Sequence, residues 1–195
     1  MRRVITVIVC MLAGLAGMPA SATAPDCQVL MSQQQIDYGA VTEAQLQAPA
    51  GKYPTEHGWG ALAARDLTVS VVCPQPGRIR LYFDGDSASR GLFRYGEEGV
   101  VRVQASSAVM DNRPVRLRRV TAGGEQVVRD ALNIHAGDGL SLVDGREVSG
   151  KTASIQLTIM PWLKKTVLSQ RERLQLLENI RIRVETPDAC NAPAP

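Results

Sequence analysis

Histidine is nearly missing: the 195 residues hold two, and His57 and His135 stand far apart, each alone in its segment. There is no C-x-x-C and no H-E-x-x-H run, so the clustered ligands that zinc requires are lacking. No metal and no other cofactor is expected. No serine sits in a G-x-S-x-G turn, which removes the strained elbow that exposes a hydrolase nucleophile. Ser106, Ser107 and His135 carry the right chemistry, but no motif brings a base to a nucleophile. Asp84 and Asp86 could flank a glycosidic bond as a carboxylate pair. Their Asp-Gly-Asp setting reads better as a turn, because both residue types favour one. No glycine-rich loop offers to cradle a phosphate. An enzyme is not expected.

Charge of one sign is scarce as well. The formal net charge is +3, and nothing in its distribution suggests nucleic acid as a partner. After the first two dozen residues no segment approaches the roughly 20 apolar residues of a bilayer span.

What is present begins with an address label. Arg2 and Arg3 precede the apolar run Val4 to Met18, and Pro19 leads into Ala20-Ser21-Ala22, a positive region, a short apolar core and a small-residue cleavage site. Cys10 lies inside the apolar run without the spacing of a lipoprotein signal. Residues 1–22 are therefore expected to be a removed signal peptide, residues 23–186 one domain and residues 187–195 a flexible tail. Cleavage takes Lys plus Arg from 22 to 20 against 19 acids, so the mature chain is close to neutral. Three cysteines remain, Cys27, Cys73 and Cys190. Export favours a bridge, and three thiols allow one bridge with one left over. The odd thiol has three fates open to it: pairing between molecules, staying free, or burial.

The mature region reads as strands. Leu67, Val69, Val71 and Cys73 alternate with Thr68, Ser70 and Val72, the period-2 signature of a half-buried strand. Pro74-Gln75-Pro76-Gly77 is read as a breaker. Ile79, Leu81 and Phe83 then alternate again up to Asp84-Gly85-Asp86. Strands are predicted around Val101 and Val103, ahead of a turn at Asp111-Asn112; around Val115, Leu117 and Arg119; and at Val127-Val128 after a Gly123-Gly124 turn. Further ones are predicted at Leu140 and Leu142, at Ile155 to Ile159 stopped by Pro161, and at Ile180, Ile182 and Val184. Residues 47–61 are read as a loop, and residues 163–177 as either a short helix or, in preference, a loop with a strand at its start. Short strands punctuated every 8–12 residues or so predict a β-sandwich. Arg113, Arg116, Arg118 and Arg119 are read as a solvated outer face or a charge-blunted edge, with an anion-binding surface as the functional alternative.

One segment says more. Cys27-Gln28-Val29-Leu30 is followed by Ile36-Asp37-Tyr38-Gly39-Ala40-Val41, Leu46, and Arg65 through Cys73. Cysteine, I-D-Y-G and second cysteine in this order resemble the first half of chaperone–usher fimbrial (pilin-like) subunits. The resemblance implies an immunoglobulin-like, incomplete sandwich and a Cys27–Cys73 bridge. Such a bridge would close a loop of about 45 residues and stabilise by roughly 2–4 kcal/mol. It also implies a non-enzymatic function: assembly by donor-strand complementation. The last resident strand leaves an open groove, which a periplasmic chaperone and then a neighbouring subunit's extension fill by β-augmentation. The groove residues implied are Ile180, Ile182 and Val184 on one wall and Val29 and Ile36 on the other. Partners are then the chaperone, an outer-membrane usher and other fimbrial subunits, with a host or surface ligand admissible. The destination would be the fimbrium at the cell surface, by way of the periplasm.

Two departures refine this expectation. Only Thr23-Ala24-Pro25-Asp26 separates the expected cleavage site from Cys27, whereas a donated strand needs roughly a dozen alternating residues at about 3.3 Å each. A tip or minor position, which accepts a strand and need not donate one, fits better than the shaft. The family's penultimate aromatic is also missing from Thr186 to Pro195. The alternative to a fimbrial subunit is a stand-alone periplasmic or secreted β-sandwich that binds a carbohydrate or other small ligand.

Overall fold

Alternation of apolar and polar side chains governs the structure as it governs the sequence. A computed structural model describes residues 27–38, 41–47, 58–96, 99–121, 126–168 and 180–186. The expected signal segment, His57, the Gly123-Gly124 turn, Cys190 and the tail lie outside the described residues. What is described is an all-β sandwich of two antiparallel sheets, with one four-residue α-helix, α1 (Lys165–Leu168), and two short 3-10 turns.

The first sheet has the order β1-β3-β13-β6-β10. These are Gln28–Met31, Arg65–Arg78, Ser149–Lys164, Gly99–Met110 and Ala131–Ile134. Three short strands join it: β2 (Trp59–Ala61) on β13, and β5 (Phe93–Tyr95) and β7 (Arg113–Pro114) on β6. The second sheet has the order β14-β4-β11-β8-β9, or Arg181–Glu185, Arg80–Asp84, Gly139–Asp144, Arg116–Val120 and Gln126–Arg129. A short β12 (Arg146–Glu147) pairs with β11.

Between the sheets lies the main core. Leu67, Val69, Val71 and Cys73 enter it from β3, Leu81 and Phe83 from β4, and Ile155 and Leu157 from β13, with Ile79 beside them. Burying a side chain such as Phe83 or Leu81 is worth about 1.5–3 kcal/mol each, so the alternating positions dominate the fold. Ile79 alone separates β3 from β4; at this buried residue the chain passes from one sheet to the other.

Two proline expectations are corrected. Pro74-Gln75-Pro76-Gly77 does not end the strand, because β3 continues to Arg78. Pairing with β13 jumps from Val72↔Thr152 to Gly77↔Gly150, so the prolines ride in a bulge where no ladder donor is required. Pro161 likewise does not stop β13. It falls where β13 changes neighbours, from Ile159↔Arg65 in β3 to Trp162↔Ala61 in β2. The missing amide hydrogen costs little at that junction, and the Pro161 carbonyl still accepts from the Leu62 amide at 3.0 Å.

The 47–61 reading is also corrected in part, since Trp59–Ala61 is a strand. It covers a small second core in which Trp162 packs with Ala61 and Val100 under Trp59, Leu92 and Met160. The Arg102 guanidinium lies 5.2 Å from the Trp162 ring. Leu163 and Lys164 end β13, α1 follows, and residues 169–177 lie outside the described residues.

The β6–β7 turn matches its residues. Asp111 and Asn112 both have positive φ, 46° and 63°, as a two-residue type I′ hairpin requires. Asp111 then uses its carboxylate to accept from the Lys151 and Thr152 amides and the Thr152 hydroxyl, tying the turn to the bulge of β13.

Candidate functional site

Each sheet ends, on the same side of the sandwich, in a short strand with one neighbour. Among the described residues β1 pairs with β3 alone and β14 with β4 alone. A strand's free side presents unpaired amides and carbonyls, and both edge strands carry partly buried aliphatic side chains that pack on the main core.

The lip on the second sheet alternates strictly. Ile182 and Val184 are half-buried and Arg181, Arg183 and Glu185 exposed. Ile180, just ahead of the strand, is half-buried too, and all three apolar residues pack on the main core. The outer side of β14 is pinned by Arg183. Its guanidinium lies 4.7 Å from the Tyr82 ring and 3.5 Å from the Asp84 carboxylate, with Glu185 as a further partner.

The other lip is shorter than the sequence suggests. Val29 on β1 packs on the core as expected. Ile36 also packs there, but from the irregular chain beyond β1, which ends at Met31. The Ser32 hydroxyl takes the Thr68 amide, capping the ladder where β1 stops. Met31 follows Val29 by two positions, so alternation turns it to the same side, where it stays 38% exposed. The sequence reading missed this exposed apolar residue. Cys27 immediately precedes β1 and is bonded to Cys73 of β3, 46 residues on. The register Gln28↔Val72 brings the two cysteines opposite each other, so the bridge fixes the start of β1.

The residues named for the groove therefore all pack on one core: Val29 from β1, Ile182 and Val184 from β14, and Ile36 and Ile180 from irregular chain beside those strands. They are hydrocarbon, and what they offer is packing beside two rows of backbone hydrogen-bonding groups. The other polar candidates go elsewhere. Arg116 points outward to Asp130 at 3.0 Å, whereas Arg119 lies 3.8 Å from Asp138 and donates to the Asn133 carbonyl. The arginines thus do not share one face. His135 holds the same Asp138, which accepts from the His135 amide at 2.9 Å, and its ring rests against Gly91.

Several ionisable groups are shifted by their surroundings. Burial pushes the Tyr38 phenol up to about 12, opposed in part by Arg65, whose guanidinium lies 5.6 Å from that ring. Burial raises Tyr95 as well, with Tyr38 and Asp37 adding to it. The Arg80 hydrogen bonds, at 3.1 and 2.9 Å, hold the Glu147 carboxyl below its usual range, against partial burial.

Fold and margin together define a disulfide-linked, all-β sandwich protein in which β1 and β14 each have one neighbouring strand among the described residues and partly buried aliphatic side chains pack beside them. No family model matches the chain. Over 152 residues it is 30% identical to the uncharacterized protein YhcE of Escherichia coli (strain K12), covering 74% of this chain and 81% of that one. The chain belongs to the YhcE family.

Proposed function

We propose that this chain is a non-enzymatic fimbrial subunit of the chaperone–usher kind, in a tip or minor position, assembled by donor-strand complementation. A periplasmic chaperone fills the slot first, an outer-membrane usher receives the complex, and a neighbouring subunit's strand then replaces the chaperone's. The route runs through the periplasm to the cell surface, where a host or surface ligand is a compatible further partner.

The observation that carries this reading is that Val29, Ile36, Ile180, Ile182 and Val184 are partly buried against one core, beside β1 and β14, each of which has one neighbouring strand among the described residues. The strand order adds support. An immunoglobulin-type sandwich arranges its strands as A-B-E-D against C-F-G. The order β1-β3-β13-β6 is compatible with the first pattern when β4 and β14 are read as C and F. On that reading the side of β14 that is unpaired among the described residues is the place of G, and a strand supplied from another chain would complete it by main-chain pairing.

The test is complementation. The mature chain is exported with and without a peptide of alternating apolar residues, and amide exchange is followed at β1 and β14. Peptide that protects both edges and raises the unfolding midpoint supports the proposal. A chain that is stable and monomeric alone, with no protection gained at either edge, sinks it and favours the stand-alone binding module.

A further inference from the structure

The inward side chains of β14 fix the phase of a strand laid beside it but not its register. Ile180, Ile182 and Val184 follow one another at two-residue spacing and differ by no more than a methylene. A one-residue slip of the neighbouring strand would turn all its side chains over. A two-residue slip keeps the phase and exchanges one aliphatic contact for a near-equal one. The outward set is not repetitive in this way. Along β14 it runs Arg181, Arg183, Glu185, all exposed. Arg183 is committed to the Tyr82 ring, to Asp84 and to Glu185. Arg181 stands opposite Asp84, whose carboxylate goes to Arg183 instead, and among the described residues Arg181 has no ion-pair partner.

Backbone geometry places Arg181 well for a neighbour on the unpaired edge. Phe83 donates its amide to the Asp138 carbonyl at 3.1 Å and accepts from the Gly137 amide at 2.8 Å, so its hydrogen-bonding groups face away from β14. Ile182, directly across from Phe83, therefore turns its own amide and carbonyl to the edge, and alternation adds Val184. The described ladders of this sheet are all antiparallel. An incoming antiparallel strand would bond to Ile182 and Val184, and its residue abreast of Arg181 would fall in a non-hydrogen-bonded pair, where side chains stand closer.

We propose that Arg181 sets the register of the donated strand, and that this strand carries an acidic side chain on its outward face abreast of Arg181. The inference deepens the fimbrial reading and rests on it. In the matched register the acid meets a cation that no carboxylate of the described chain engages. A two-residue slip sets it beside Arg183, which Asp84 and Glu185 already neutralise, or carries it past the start of β14. An exposed charge pair contributes little and is screened by salt. It therefore chooses among registers of nearly equal packing, while the aliphatic contacts and main-chain bonds supply the affinity.

Synthetic strand peptides test it, with valine at the inward positions and threonine at the outward ones except a single site bearing glutamate, glutamine or lysine. Binding to the mature chain is followed by amide exchange at Ile182 and Val184. Register is read from a benzophenone side chain at one inward position, whose photo-crosslink to β14 is mapped by mass spectrometry. At low salt the glutamate peptide is expected to bind about fivefold tighter than the lysine peptide, with glutamine between them, and the gap should close at high salt. Moving the glutamate two positions along the peptide should move the crosslink two residues along β14. Arg181→Glu should reverse the preference and Arg181→Gln should remove it, each with an unfolding midpoint close to that of wild type. Three outcomes overturn the proposal while the slot stands: equal binding of glutamate and lysine peptides, a crosslink indifferent to where the glutamate sits, or a preference that survives in Arg181→Glu. Peptide that protects neither amide, whatever its charge, overturns this proposal and the fimbrial reading together.

Discussion

Ile182 lies directly across from Phe83 in the pairing of β14 with β4, yet Phe83 is wholly buried and Ile182 is not. The two share a rung of one ladder and differ because Phe83 has paired backbone on either side, Ile182 on one and Asp138, just ahead of β11, on the other, whereas Ile182 has it on one side among the described residues. Ile182→Ala should therefore cost only about 1–2 kcal/mol in the free chain, below the roughly 2–5 of a fully buried aliphatic truncation such as Leu81→Ala. With the slot occupied by an apolar strand peptide the two costs should converge. Urea midpoints of both variants, with and without peptide, check this; a gap indifferent to peptide contradicts the slot.

The Cys27–Cys73 bridge spans 46 residues, and its removal is expected to destabilise by about 2–4 kcal/mol. Because β1 is four residues long, its pairing should loosen before the rest of the sheet. Reduction, or Cys27→Ser with Cys73→Ser, should abolish amide protection at Gln28 and Leu30, whose N–H groups face β3, while leaving β13 protected. Uniform loss across both strands would mean that the bridge holds the whole sheet.

Gly91 has φ of +76°, and a Cβ there would come within 2.6 Å of the His135 ring. Gly91→Ala should cost about 1–3 kcal/mol, part backbone strain and part collision. Adding His135→Ala removes the collision and leaves the strain, so the double variant should be less destabilised than the sum of the singles. Strict additivity in thermal or urea unfolding would show that the ring gives way freely.

Acid sensitivity should come from Asp111 and Glu147. The Thr152 amide chiefly holds Asp111 below its usual range, as Arg80 does Glu147. A depressed folded value means stability that is complete above the unfolded value and is lost as pH falls through the folded one. Unfolding midpoints should thus decline as pH drops through about 4, the ordinary carboxylate range, and the decline should be shallower in Asp111→Asn. At the alkaline end the sign reverses. Tyr38 is raised to about 12, so its contribution is intact below the ordinary phenol value near 10 and lost above it. Tyr38→Phe should flatten that alkaline limb. An unchanged acid slope in Asp111→Asn assigns the acid limb elsewhere.

Where pairing follows local alternation, the sequence is readable. Leu67 to Cys73, Ile79 to Phe83, and Ile182 with Val184 occupy the faces that period 2 predicts, since a strand's inward set depends only on its own residues. What stayed hidden depends on neighbours remote in sequence. Pro161 is harmless because β13 changes partner there, and Pro74 and Pro76 because β3 bulges beside Gly150. Trp59 and Trp162 form their own small core through a pairing of residues about a hundred positions apart. Ile36 packs on the core margin without belonging to β1, and nothing in its immediate neighbours distinguishes the two cases.

Ile79 has a mechanical consequence. It is the single residue between β3, which carries the disulfide to one lip, and β4, which carries the other lip by hydrogen bonds. The two jaws are thus halves of one bent ribbon whose crease is sealed in hydrocarbon, where Ile79 is 1% exposed. Prying them apart means straightening that crease. On the donor-strand proposal, that crease would set the spacing between the two edges, and side-chain girth rather than backbone pairing alone would decide which strand fits.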